Sequence, residues 1–123
     1  MRFLQILIFG FFVLAFQASL AEEKLTAEEI ETLLNGNTIK GVWSGNNYTQ
    51  YFGENGETAY IPEGRMPDIG RWRVNIDTDQ YESWWEQTGW TGYTVLKVDE
   101  GYGWKRSDGY EPFTVLEGKR VSW

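Results

Sequence analysis

The 123-residue chain contains no cysteine and no histidine. The first absence excludes a structural disulfide, a thiolate metal site and a lipid-modified cysteine behind an export signal. The second removes the serine–histidine–acid triad, cysteine–histidine catalysis and histidine-ligated zinc, copper or haem. Positive charge is scarce too: 11 Lys and Arg stand against 18 Asp and Glu, a net charge of −7. Nucleic acid and anionic membrane are bound through basic patches, so neither is an expected partner, and no metal or cofactor is expected.

What is present begins with Arg2, an apolar run from Phe3 to Phe16, and the polar stretch Gln17-Ala18-Ser19-Leu20-Ala21. This is the order of a secretory signal peptide, with Ser19 and Ala21 as the small residues before the cleavage site. Residues 1–21 are therefore expected to direct export, to a periplasm or to the medium, and to be removed after Ala21. The alternative is an uncleaved anchor, but the run falls short of the ~20 apolar residues that span hydrocarbon comfortably. Residues 22–123 have about the size at which one core sustains a domain without covalent staples, and they contain no second hydrophobic segment.

All of the seven phenylalanines except Phe52 and Phe113 lie in the signal, whereas all seven tryptophans and all seven tyrosines follow it. Rings with a polar tip suit barrels, interfaces and stacking sites. One segment, about residues 26–34, reads as a helix: Thr26 and Glu29 have capping-box spacing, Leu25 and Ile30 have staple spacing, and Asn35-Gly36 supplies a stop. Its apolar residues Ile30, Leu33 and Leu34 share a face, which predicts a lid or plug.

From about Thr38 the pattern becomes short β-prone runs between turn signals at Asn46-Asn47, Asn55-Gly56, Pro67-Asp68, Asp77-Thr78-Asp79, Glu100-Gly101, Asp108-Gly109 and Glu117-Gly118. Such spacing predicts an antiparallel meander of about eight strands, an all-β fold behind one short helix. Trp72, Val74 and Ile76 alternate with Arg71, Arg73 and Asn75, a strand with one wet side. Trp90 to Val98 reads as one long strand, and Gly41, Gly70 and Gly92 as bends or bulges.

A short helix, Gly41-Val42-Trp43 opening the first strand, and a late basic residue at Arg120 resemble the lipocalin arrangement. That resemblance implies a small barrel or half-barrel, with Trp43 plugging its closed end and Arg120 packing over it. The wider pattern combines Tyr51-Phe52, Asn55-Gly56, Gly70-Arg71-Trp72, Tyr102-Gly103-Trp104 and Asp108-Gly109. It is similar to small exported proteobacterial all-β domains of unknown function, which implies no activity. Those domains often carry cysteines near the positions of Tyr81 and Tyr93, and this chain has none.

Three chemistries stay open. If Trp72, Tyr81, Trp85, Trp90 and Trp104 point inward, they fill the core or line a cavity for a small apolar or aromatic ligand, and the protein is a non-catalytic binding protein. If Trp84 and Tyr93 face out, the same strands form an interaction module for envelope polysaccharide or a secreted protein. A carboxylate-dependent enzyme needs two acids across a cleft, and Glu82 and Glu86 are read as sharing a strand face. Most other acids sit in turn signals, where Asp supports backbone geometry, and Asp77-x-Asp79 with Glu82 lacks the glycine and final glutamate of an EF-hand. Arg71 and Arg73 are expected to pair across strands with Glu82 and Glu86.

Overall fold

A computed structural model describes residues 22–122; the proposed signal peptide lies outside the described residues. Helix α1 (Ala27–Leu34) starts where the local chemistry requires. Thr26 Oγ1 accepts from the Glu29 N–H at 3.2 Å while Glu29 Oε1 accepts from the Thr26 N–H at 2.9 Å, so two orphan donors of the first turn are satisfied reciprocally. A third finds a distant partner, because Asp79 Oδ1 accepts from the Ala27 N–H at 2.8 Å. Asp79 belongs to the Asp77-Thr78-Asp79 turn and has φ of 54°, a left-handed conformation that Asp tolerates better than most residues.

Asp79→Ala is expected to cost about 1–2 kcal/mol, from the lost cap and the left-handed strain. Asp79→Asn, which keeps an acceptor and tolerates this backbone, should cost less than half as much. Urea unfolding of both variants checks the ranking, and equal losses would contradict it.

The remaining elements are all strands. They are β1 (Glu23–Lys24), β2 (Thr38–Trp43), β3 (Asn46–Phe52), β4 (Glu57–Pro62) and β5 (Asp68–Asn75), followed by β6 (Gln80–Trp85), β7 (Gly89–Tyr93), β8 (Val95–Val98), β9 (Gly101–Arg106) and β10 (Gly109–Leu116). They pair antiparallel in one ten-stranded sheet of order β1-β8-β9-β10-β2-β3-β4-β5-β6-β7, which curls into a half-barrel. The count exceeds eight for two reasons. The Trp90–Val98 run bends at Thr94, so its first part pairs with β6 and its second with β9. The short β1 is extended only because it lies against β8.

Most turns form at or beside their signals. The first hairpin turns at Ser44-Gly45, both with positive φ, and Asn46-Asn47 already belongs to β3. Ile76 lies beyond β5 and is 80% exposed, so the alternation ends at Val74. Gly41 and Gly70 interrupt no ladder; each faces inward at a point of close approach. A Cβ at Gly41 would stand 2.9 Å from Phe113 Cβ, and one at Gly70 would stand 2.6 Å from the Trp85 ring.

The core lies inside the curl at the helix end. Leu25, Ile30 and Leu34 pack there with Ile39, Phe52, Trp72, Val95 and Phe113. α1 therefore plugs one end of the half-barrel with its apolar face. Asn37 ties the plug to the tail, since its Nδ2 donates to Leu33 O at 2.9 Å and its Oδ1 accepts from the Gly118 N–H at 2.9 Å.

Candidate functional site

At the end away from the helix, the inward rings stop short of filling the curl. They leave a cavity of about 360 Å³. Strand parity decides who lines it. Tyr48 and Gln50 alternate inward with Phe52 along β3, and Tyr60 follows on β4 opposite Gln50. Ser83 and Trp85 alternate inward with Tyr81 along β6, and Thr91 and Tyr93 face them from β7. Trp43, Trp104 and Asp68 complete the walls, and Gln87 and Thr88 of the β6–β7 turn reach the rim.

Ring contacts show how tightly the sheet curls. Tyr81 on β6 lies 4.8 Å from Trp104 on β9, and Trp43 on β2 meets Tyr93 on β7 edge-on at 5.6 Å, although neither strand pair is adjacent. Tyr60 meets Trp85 edge-on at 6.1 Å across β5. Gly70 permits this contact, because its missing side chain lets the Trp85 ring lie over the β5 backbone.

The floor is polar but satisfied. Trp104 Nε1 donates to the Tyr48 hydroxyl at 2.9 Å, and Gln50 Nε2 donates to Thr58 Oγ1 at 2.9 Å and to the Tyr81 hydroxyl at 3.3 Å. Trp85 Nε1 donates to Ser83 Oγ at 3.2 Å. Burial pushes the Tyr48 and Tyr81 hydroxyls well above the ordinary tyrosine range, and their hydrogen bonds offset only part of that. Burial thus favours the neutral hydroxyl at both positions. Burial also raises Tyr60, against a smaller opposing effect of the Arg65 charge.

The residues singled out from sequence divide three ways. Tyr81, Trp85 and Trp104 line the cavity together. Trp72 lies deeper, stacked on Tyr81 at 6.4 Å with its Nε1 donating to Gly53 O at 2.9 Å. Trp90 faces out, 40% exposed, with the Arg73 guanidinium 3.7 Å from its ring centroid. Trp84 is its direct cross-strand partner on the same outer face, whereas Tyr93 faces in.

Trp43 and Arg120 are not neighbours. Trp43 ends β2 at the open end, and the Arg120 N–H donates to Thr38 Oγ1 at 2.9 Å where β2 begins. The arginine over Trp43 is Arg106, with 4.3 Å between guanidinium and ring centroid. Glu111 Oε2 holds it at 3.1 Å and also accepts from the Ser44 N–H at 3.1 Å.

No family model, curated protein or solved structure matches the chain.

The walls themselves limit the chemistry. Asp68 is the one carboxylate among the lining residues, so the cavity offers no facing pair of acids. Glu82 is engaged on the outer face, where Asn75 Nδ2 donates to it at 3.0 Å and Arg73 Nε at 2.7 Å; these two bonds hold its carboxyl below the usual range. Glu86 lies in the turn after β6, off the strand that carries Glu82. Among the described residues, no group of three or more acids is placed to hold a metal ion, and no helix is long and apolar enough to cross a membrane.

Sequence reasoning missed Tyr48, Gln50 and Tyr60, and read Asp68 as an acid of a turn rather than of the cavity wall. Tyr48-x-Gln50-x-Phe52 does carry a period-two signal, but nothing local says which face of that strand is inside.

Proposed function

We propose that this is a non-catalytic, exported binding protein that holds a small apolar or aromatic ligand within a lipocalin-like barrel. The observation that carries this reading is the ring-lined cavity of about 360 Å³, plugged on one side by α1 and the core and open on the other. Ligand sites are concave, mostly apolar, and carry a few convergent polar groups; roughly 300–1,000 Å³ is the usual range. Asp68, Gln87, Thr88 and Thr91 supply such groups at the rim.

Trp43, Trp85 and Trp104 line the cavity, so its filling should change intrinsic fluorescence. A saturable change is expected when the exported protein is titrated with small apolar and aromatic compounds. Trp85→Phe should weaken that binding. Silence across the panel would overturn the reading.

A second reading is favoured by one observation, the outward pair Trp84 and Trp90 with Arg73 over Trp90. An interaction module would use this face to stack against polysaccharide or a secreted protein. A fluorescence change with soluble glycans alone, abolished by Trp90→Ala, would select it.

A further inference from the structure

We propose that the cavity selects an organic ammonium cation, an apolar or aromatic body with a fixed positive charge, held by ring faces and by Asp68. The proposal rests on the cavity being the binding site, and names the chemistry it takes.

Aromatic faces are electronegative and attract cations that have shed water, which is how quaternary ammonium groups are recognised by ring cages. Two edge-to-face pairs border this cavity, Trp43 with Tyr93 at 5.6 Å and Tyr60 with Trp85 at 6.1 Å. Asp68 stands beside them, the cross-strand partner of Tyr60 on the same inward face. Its side chain is exposed, and its carboxylate makes no hydrogen bond or ion pair among the described residues. It is a free anionic group at the rim of an aromatic cavity.

The walls offer an anion no positive charge. No lysine or arginine lines the cavity. Arg106 is close, but Glu111 neutralises it and it already covers Trp43. That contact shows a ring of this cavity accepting a cation. Arg65 acts on Tyr60 from the turn after β4 without entering the wall. Three of the deeper donors are spent internally: the Trp104 and Trp85 indole N–H groups and the Gln50 amide have protein acceptors, so the donors left to a ligand are neutral ones such as Gln87 and Thr91. An anion would lie against ring faces and the Asp68 carboxylate, whereas a cation is attracted by both. The net charge of −7 adds long-range attraction of the same sign.

The experiment compares choline and phenyltrimethylammonium with their uncharged tert-butyl isosteres, in which carbon replaces nitrogen, by titration of tryptophan fluorescence and calorimetry. The cations should bind about tenfold or more tighter than the isosteres. Asp68→Asn should lower cation affinity about five- to tenfold and leave the isosteres unchanged, and the cation preference should shrink as salt rises. If cations and isosteres bind equally, the charge inference fails and the cavity reading stands. If isosteres and other apolar compounds bind and the cations do not, the inference also fails alone. If none of these compounds binds, both fall.

Discussion

Phe52→Ala is expected to destabilise the protein by about 3–5 kcal/mol. Phe52 is fully buried at the end of β3, edge-on to Trp72 at 5.5 Å and to Tyr81 at 5.7 Å. It lies where the plug meets the sheet: its N–H donates to Asn37 O at 3.1 Å, and its carbonyl accepts from the Gly36 N–H at 2.7 Å. Truncation removes the transfer energy of the ring and leaves a void that the rings on either side are too rigid to close. Domains of this size are stable by about 5–15 kcal/mol, so the variant should lose a large share of that margin. Phe52→Leu, which keeps most of the volume, should lose far less. Urea unfolding decides it, and a loss below about 1 kcal/mol for the alanine variant would contradict the packing described.

Gly70→Val is the change expected to affect stability and binding together. The position faces inward on β5 beneath Trp85, and a Cβ there would meet the Trp84 carbonyl oxygen and lie 2.6 and 2.7 Å from two atoms of the Trp85 ring. The φ of Gly70 is not in the left-handed region, so the cost comes from contact rather than conformation. Overpacking of this kind costs about 1–3 kcal/mol, and the ring that must move is a wall of the cavity. Ligand affinity should fall at least about tenfold, because Trp85 would no longer rest over β5 against Tyr60. Gly45→Ala is the contrast, since a Cβ there meets nothing within 4 Å and only its φ of 85° opposes the change. It should cost some stability and leave binding intact. A Gly70→Val protein that binds normally would separate Trp85 from the site.

Both expectations depend on pairing that local sequence shows only in part. The helix was legible because its determinants are neighbours in the chain: the capping box needs Thr26 and Glu29, and the apolar face needs Ile30 and Leu34. The Asp79 cap was not legible, since it joins positions 52 residues apart. Alternation along β3, β5 and β6 is likewise a local property, so strands could be read where turns bounded them. The bend at Thr94 could not, because it exists only where the strand leaves β6 for β9.

The site shows the same division. Adjacent Trp84 and Trp85 must point to opposite faces of their strand, and sequence alone establishes that. Which of them is inside depends on register. The β6–β7 turn aligns Trp84 with Trp90 and Tyr81 with Tyr93, placing the first pair outside and the second inside. Strands with aromatic rings on both faces supply no hydrophobicity contrast from which to choose.

By itself the sequence determined an acidic, all-β chain with one capped helix, no thiol or imidazole chemistry, and a proposed export signal. These follow from composition and from interactions between near neighbours. The tertiary structure decided which rings meet, that Gly70 makes room for one of them, and that Asp68 stands free beside the cavity they leave. Those are contacts between strands distant in the chain, set by register and curl, and neither is encoded in any single segment.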